Sequence, residues 1–415
     1  MHTRTIVFYL LVSLIVLMIG SLAGWYFFLR TQTETTEMQS AARGFGAAIP
    51  EGMAEGTTPF STPGPQTAAS SSSAQSRSRP AQLWRVQEKP VAGQSFAGSG
   101  PLLRLRYVER SNGQVFEANP ETGEIVRRTN TLIPKIYEAL LSEEGHIIER
   151  SLDGEGAITT FAGIVASTTG ANASSSQTLL GSYLPKNIAR IATARASGAL
   201  FYLLENAEGM TGVSADWNGA KQKTIFSSSI RHWRGSILDD GRIILVQAAA
   251  DGLPGYAYEL KKDGGLTLLL GPIPGLTVRV RPLASTNGEA LVWGQSVRGT
   301  MSLFVRLGSA TAVQLPLKTT ADKCVWSPGK DVIAYCAVPQ GSAGQNFLDE
   351  WYRGAAHSSD ALWRIDASAG KAELVYTPPS SASLDIENMV VDSEGGYLAF
   401  TNARDKSLWL LRLAK

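Results

Sequence analysis

The densest group of side chains suited to holding a partner lies between Pro339 and Asp360. It reads Phe347-Leu348-Asp349-Glu350-Trp351-Tyr352-Arg353, followed by His357. Trp, Tyr and Arg supply most of the energy at binding hot spots, because each joins a large rigid surface to a polar handle. Asp349, Trp351, Tyr352, Arg353 and His357 are therefore the candidate binding residues. The competing expectation is that Trp351 and Tyr352 pack against a neighbouring element and only order their loop. Residues for acid–base, metal or nucleophilic chemistry are scattered. The four histidines, His2, His146, His232 and His357, show neither H-x-H nor H-E-x-x-H spacing, so no zinc site is indicated. Gly294-Gln295-Ser296-Val297-Arg298 and Gly93-Gln94-Ser95-Phe96-Ala97 both lack the closing glycine of a nucleophile elbow. There is no phosphate-binding G-x-x-x-x-G-K-[ST] loop and no EF-hand loop. The motifs assign no catalytic residue, no metal and no cofactor.

The elements that must position these residues repeat. From Gln82 onward, short strands of alternating polarity are separated by Gly, Asn-Gly and Asp-Gly turns, which are hairpin signals. One kind of turn recurs at Gly100, Gly145, Gly198, Gly241, Gly288, Gly329 and Gly395. Five of the six intervals fall between 41 and 53 residues, the length of a four-stranded propeller blade. The widest interval, 66 residues, contains the Pro339–Asp360 insertion, placed between the second and third strands of the sixth unit. A second irregular stretch, Ala166 to Asn187, ends in the run Leu179-Leu180-Gly181-Ser182-Tyr183-Leu184-Pro185, which is apolar enough to dock.

In the sixth unit, Cys324-Val325-Trp326-Ser327-Pro328-Gly329-Lys330-Asp331-Val332-Ile333-Ala334-Tyr335 resembles the strand–turn–strand signature of TolB-like and WD-type propeller repeats. The resemblance covers about 330 residues at the level of architecture and implies an all-β propeller. Seven blades is the count; six or eight also fit the spacing. The last unit ends one strand short, while Leu83-Trp84-Arg85-Val86-Gln87 stands alone before the first. Pairing these two ends closes the ring and removes an open sheet edge.

The only cysteines, Cys324 and Cys336, sit on the two arms of that sixth-unit hairpin. With Lys330 at the centre of the turn they oppose each other and can form a cross-strand disulfide, which suits an oxidising exterior. With a four-residue turn over Pro328–Asp331, Trp326 opposes Ile333 instead, and the two thiols face opposite sides as small buried hydrophobes.

Ile6 to Leu29 is a run of 24 uncharged residues bounded by Arg4 and Arg30. As a helix it covers about 36 Å, enough to cross a hydrocarbon core of about 30 Å. Trp25 and Tyr26 lie near its outer end, where amphipathic rings favour the interface. Ser21-Leu22-Ala23 offers a cleavage site for a signal peptide, but the apolar run continues past it, so an uncleaved anchor is expected. Arg4 and the α-amine place the N-terminus in the cytoplasm. In residues 31–81, 35 of 51 are Ser, Thr, Pro, Gly or Ala, the composition of a disordered tether. Over the whole chain 38 Lys and Arg nearly cancel 36 Asp and Glu, which excludes nucleic-acid binding by bulk positive field.

The expectation is a single-pass membrane protein with residues 1–30 as anchor, 31–81 as linker and 82–415 as a seven-bladed β-propeller outside the cytoplasm. The TolB-like resemblance implies a bacterial cell envelope. The expected role is recognition or scaffolding of an envelope protein or surface ligand. The alternative is a membrane-anchored carbohydrate-active hydrolase or lyase with its site in the propeller mouth. Three or more carboxylates gathered with basic residues at one mouth favour the enzyme; a flat aromatic patch near Trp351 favours the binder.

Overall fold

Seven four-stranded antiparallel sheets follow one another around a central axis in a computed structural model. The structure describes residues 81–165, 178–283, 288–341, 344–379 and 382–413. The expected anchor and all but the last residue of the expected linker lie outside the described residues, as does the polar stretch Ser167 to Gln177. Among the described residues no helix is long and apolar enough to cross a membrane.

The innermost strands are Val91–Ala97, Ile136–Leu141, Ile188–Thr193, Trp233–Ile237, Thr277–Pro282, Cys324–Trp326 and Ile386–Val391. In six blades the strands run outward in sequence order. The seventh blade takes its outermost strand from the beginning of the propeller: Leu83–Gln87 pairs antiparallel with Leu408–Arg412, with Leu83 opposite Leu411 and Trp84 opposite Leu410. This is the closure expected from the orphan strand. All seven recurring glycines lie between the first and second strands of a blade.

The second strands are apolar almost throughout because both faces of each sheet are covered by neighbouring blades. Ile333–Pro339, for example, is buried at six consecutive positions. The outermost strands are much more exposed; Leu180–Tyr183, which ends the irregular stretch of the second blade, is exposed at all four positions while Leu179 and Leu184 beside it are buried. The core is accordingly a ring of layers between successive blades. Val292, Leu303 and Val305 of the fifth blade pack with Cys324, Cys336 and Ile365 of the sixth. Phe96, Leu105 and Tyr107 of the first pack with Ala399, Leu408 and Leu410 of the seventh. Each fully buried aliphatic side chain in such a layer contributes about 1.5–3 kcal/mol relative to exposure.

Two residues singled out by type are part of this scaffold. His146 stacks on Trp217 with ring centroids 4.5 Å apart. It also fills the space beside Gly198, where a Cβ would meet its Nδ1 at 2.4 Å; the φ of +67° is a second reason for glycine there. Burial holds the His146 ring below its usual pKa. His232 precedes the innermost strand Trp233–Ile237 and is exposed.

Candidate functional site

The Pro339–Asp360 insertion joins the second and third strands of the sixth blade and carries the helix α1, Phe347–Tyr352. Phe347 and Leu348 bury its apolar side, Leu348 to 1% exposure. Antiparallel strands put this connection at the end of the blade opposite to the Ser327–Asp331 turn, on the face where each outermost strand hands over to the next blade. Asp349 fastens the helix sideways: its Oδ1 accepts a hydrogen bond from the Asp251 amide (3.0 Å) in the fourth blade. Asp251 in turn accepts from the Ser296 hydroxyl (2.5 Å) and the Gly299 amide (3.3 Å) in the fifth.

Two polar nodes lock the rest of the insertion to the ring. In the first, Lys323 is fully buried and donates from Nζ to Asp360 Oδ2 (2.7 Å), Asp385 Oδ1 (2.6 Å) and the Ile386 carbonyl (3.1 Å). Trp351 lies with its ring 4.7 Å from that ammonium and donates its indole N–H to Asp385 Oδ1 (3.1 Å). His357 Nδ1 meets Asp385 Oδ2 at 2.9 Å, and Ser358 donates to Oδ1 at 3.0 Å. Burial pushes the Asp385 carboxyl up, but the Lys323 charge, with the hydrogen bonds from Lys323, His357 and Trp351, outweighs it and holds Asp385 below the usual range. At Asp360 burial prevails over the same lysine, and the carboxyl is raised.

The second node centres on Asp322, in the short 3-10 turn Ala321–Lys323. Arg234 donates to its Oδ2 at 2.6 Å, Arg279 lies 3.7 Å from its Oδ1, and the Tyr352 hydroxyl donates to Oδ2. The Arg234 guanidinium also lies over the Tyr352 ring, 4.4 Å from its centroid. Burial works against the Asp322 charge, yet Arg279 and Arg234 outweigh it and keep the carboxyl below its usual value. Burial and then the Asp322 charge push the Tyr352 phenol well above its ordinary range, so it stays a donor.

Trp351 and Tyr352 are thus half-buried anchors, as in the packing expectation, while Arg353 remains at the surface with its Nε donating to the Asp349 carbonyl (3.1 Å). Asp349, Trp351, Tyr352 and His357 all act within the insertion's attachment. Below them, Cys324 and Cys336 oppose each other, as do Val325 and Tyr335, so the turn is centred on Lys330 and the four-residue alternative is excluded. The two cysteines are joined by a disulfide.

A cavity of about 670 Å³ under the insertion and a neighbouring one of about 820 Å³ share Arg190, Arg279, Asp322, Glu387, Asn388 and Lys406 in their walls and form the mouth of the central channel. Their cationic side chains are Arg110, Arg150, Arg190, Arg234, Arg279, Arg353 and Lys406; their carboxylates are Glu138, Asp322 and Glu387. Each carboxylate already has a base: Glu138 has Arg150, Asp322 has Arg234, and Glu387 has Lys406 at 2.6 Å. By number alone these carboxylates meet the condition set for an enzyme, and the half-buried aromatics are not a flat patch. Pairing is the better test, and none of the three is a free acid or base. Besides Asp360, burial pushes up the carboxyl of Glu149, to about 8; it is 1% exposed and lies between Ala139 and Phe161 inside the layer joining the first two blades. Among the described residues no three His, Cys, Asp or Glu side chains are grouped to hold a metal ion.

The sequence singled out the insertion but missed Arg190, Arg234 and Arg279. The signal was one arginine near the start of each of three successive innermost strands, Ile188–Thr193, Trp233–Ile237 and Thr277–Pro282.

No protein-family model matches the chain, and no curated protein does. The TolB-like resemblance therefore stays at the level of the repeat pattern. Among solved structures, a catalytically inactive virginiamycin B lyase from Staphylococcus aureus with quinupristin is 14% identical, with 79% of this chain and 96% of that chain covered and a TM-score of 0.47. An uncharacterised protein of Listeria monocytogenes is 12% identical over 78% and 93% of the two chains, TM-score 0.46. Hydrazine synthase of Kuenenia stuttgartiensis is 10% identical over 79% and 96%, TM-score 0.45. These similarities carry no functional argument; the seven-bladed propeller rests on the strand order itself.

Proposed function

We propose that this protein is a recognition module of the cell envelope that binds its ligand at the insertion-bearing mouth of the propeller, tethered to the membrane through Ile6–Leu29. The observation that carries the reading is the attachment of the insertion. Its anchors are tied to the fourth, sixth and seventh blades, and they roof a cavity of about 670 Å³ whose ionic groups are positioned in advance. A cavity of this size suits a small ligand or the end of a larger one. Pre-positioned groups lose less entropy on binding. The Cys324–Cys336 disulfide supports an extracytoplasmic setting, since such bonds persist in oxidising compartments.

The test is cross-linking from each face of the ring. A photo-reactive residue at position 353 is expected to capture envelope material that the same residue at position 330, on the opposite face, does not. Equal capture from both faces, or none from position 353, removes the reading. A second reading, a carbohydrate-active hydrolase or lyase, draws on the three carboxylates at the mouth; new reducing ends released from envelope polysaccharide, and lost in a Glu387→Gln variant, would establish it in place of the first.

A further inference from the structure

We infer that the mouth of the channel takes a small ligand carrying two or more oxyanion groups, carboxylate or phosphate, held by Arg190 and Arg353 with help from Arg279. The inference rests on the reading of the mouth as the ligand site and gives that ligand its chemistry. Three observations lead to it.

The first is an excess of cations. Seven cationic side chains face three carboxylates in the two cavities, in a chain whose net charge is only +2. Positive charge is gathered here, in a concave site whose low-dielectric walls focus its field.

The second is where the excess sits. Glu138 and Glu387 are each neutralised by one base, and Asp322 is shared by Arg234 and Arg279. Arg190 is exposed in the cavity wall, and its side chain makes no hydrogen bond or ion pair among the described residues. Arg353 donates only to a backbone carbonyl. Arg110 likewise donates to the Tyr137 carbonyl (2.5 Å), and its Nε is buried without a partner. The free donors are therefore guanidinium groups, whose planar forks match carboxylate and phosphate oxygens two at a time.

The third is rigidity. Arg190 and Arg279 project from innermost strands, and Asp322, braced by the Tyr352 hydroxyl, holds Arg234 at 2.6 Å and Arg279 at 3.7 Å. Fixed donors around a cavity of ligand size suit more than one oxyanion group at a time.

Calorimetric titration of the full-length protein with citrate and with tripolyphosphate, at constant ionic strength, tests this. Saturable binding of either probe is expected, weakening at least tenfold in Arg190→Glu and in Arg353→Glu and as salt rises, with no change in Lys330→Glu on the opposite face. Citrate alone would identify polycarboxylate as the ligand class, and tripolyphosphate alone polyphosphate. Absence of binding by both probes, or binding that survives both Arg190→Glu and Arg353→Glu, overturns the inference. Because neither arginine supports the fold, unchanged thermal melts will separate lost binding from lost structure. Face-specific cross-linking from position 353 with no affinity for either anion would leave the recognition reading standing and remove only its anionic ligand.

Discussion

The two ends of the channel use the same residue types in opposite ways. On the face opposite the insertion, Arg242 is the hub: Asp240 lies 2.7 Å away, and Glu259 and Glu289 each 3.4 Å. Lys261 adds a second cation to Glu259 at 2.6 Å, and Arg281 has both terminal nitrogens engaged, by the carbonyls of Asp331 and Gly329, where Arg353 has only its Nε engaged. The cavity there is larger, about 1300 Å³; the charges around Arg242 neutralise one another, and the exposed Lys330 and Asp239, which make no ion pair among the described residues, offset each other in sign. At the mouth the hub is a carboxylate, Asp322, with two guanidinium groups and a phenol around it, and Arg190 and Arg353 are left over. Neither cavity volume nor the number of charges distinguishes the two ends. The difference lies in which groups already have partners.

Substitutions at the two ends break this comparison in order of expected effect. The largest belongs to Lys323→Met. It leaves Asp360 and Asp385 buried without their cation, and a loss of about 3–5 kcal/mol in denaturant unfolding is expected. Trp351 and His357 also hold Asp385, so the insertion should become protease-sensitive in the same variant.

Asp322→Asn comes next, with a cost of about 2 kcal/mol at neutral pH as Arg234 and Arg279 lose their shared anion. It should also change the acid limb of stability. The Asp322 pKa is depressed in the folded state, so its contribution is fully present above the unfolded carboxyl value of about 4 and is lost as pH falls through the lower folded value. Parent and variant melts should converge as pH drops through that window. A constant gap down to pH 2 would show that the pairing is not what Asp322 supplies.

The smallest effect is expected at the far end. Arg242→Gln leaves Glu259 with Lys261 and Glu289 within 3.9 Å of Arg306, so only Asp240, whose side chain is 37% exposed, loses its cation, and the change should cost less than about 1 kcal/mol. Anion titrations of this variant should match the parent. If they do not, the division between a neutralised end and a receptive end fails.

Much of the architecture can be read from local patterns. The glycine turns recur at blade spacing because each blade is built from contiguous residues, and an alternating strand beside an Asn-Gly or Asp-Gly turn is visible within a dozen positions. Even ring closure is legible, since a lone strand at Leu83–Gln87 and a last unit one strand short leave a single economical pairing. The insertion is visible too, as the widest interval in the repeat. For Cys324 and Cys336 the sequence is compatible with two registers, because hairpin register depends on the turn conformation rather than on composition.

The mouth is different. Asp322 and Arg234 are 88 residues apart, and Arg234 and Tyr352 are 118 apart. No local pattern ties them together. They meet because the ring brings the same end of every innermost strand to one axis, so that residues far apart in sequence become neighbours across it. The sequence determined the repeat, the closure and the place of the insertion, since hydrophobic periodicity and turn chemistry act between near neighbours. The tertiary structure alone decided which charges meet and which are left without partners, and that remainder gives the mouth its chemistry.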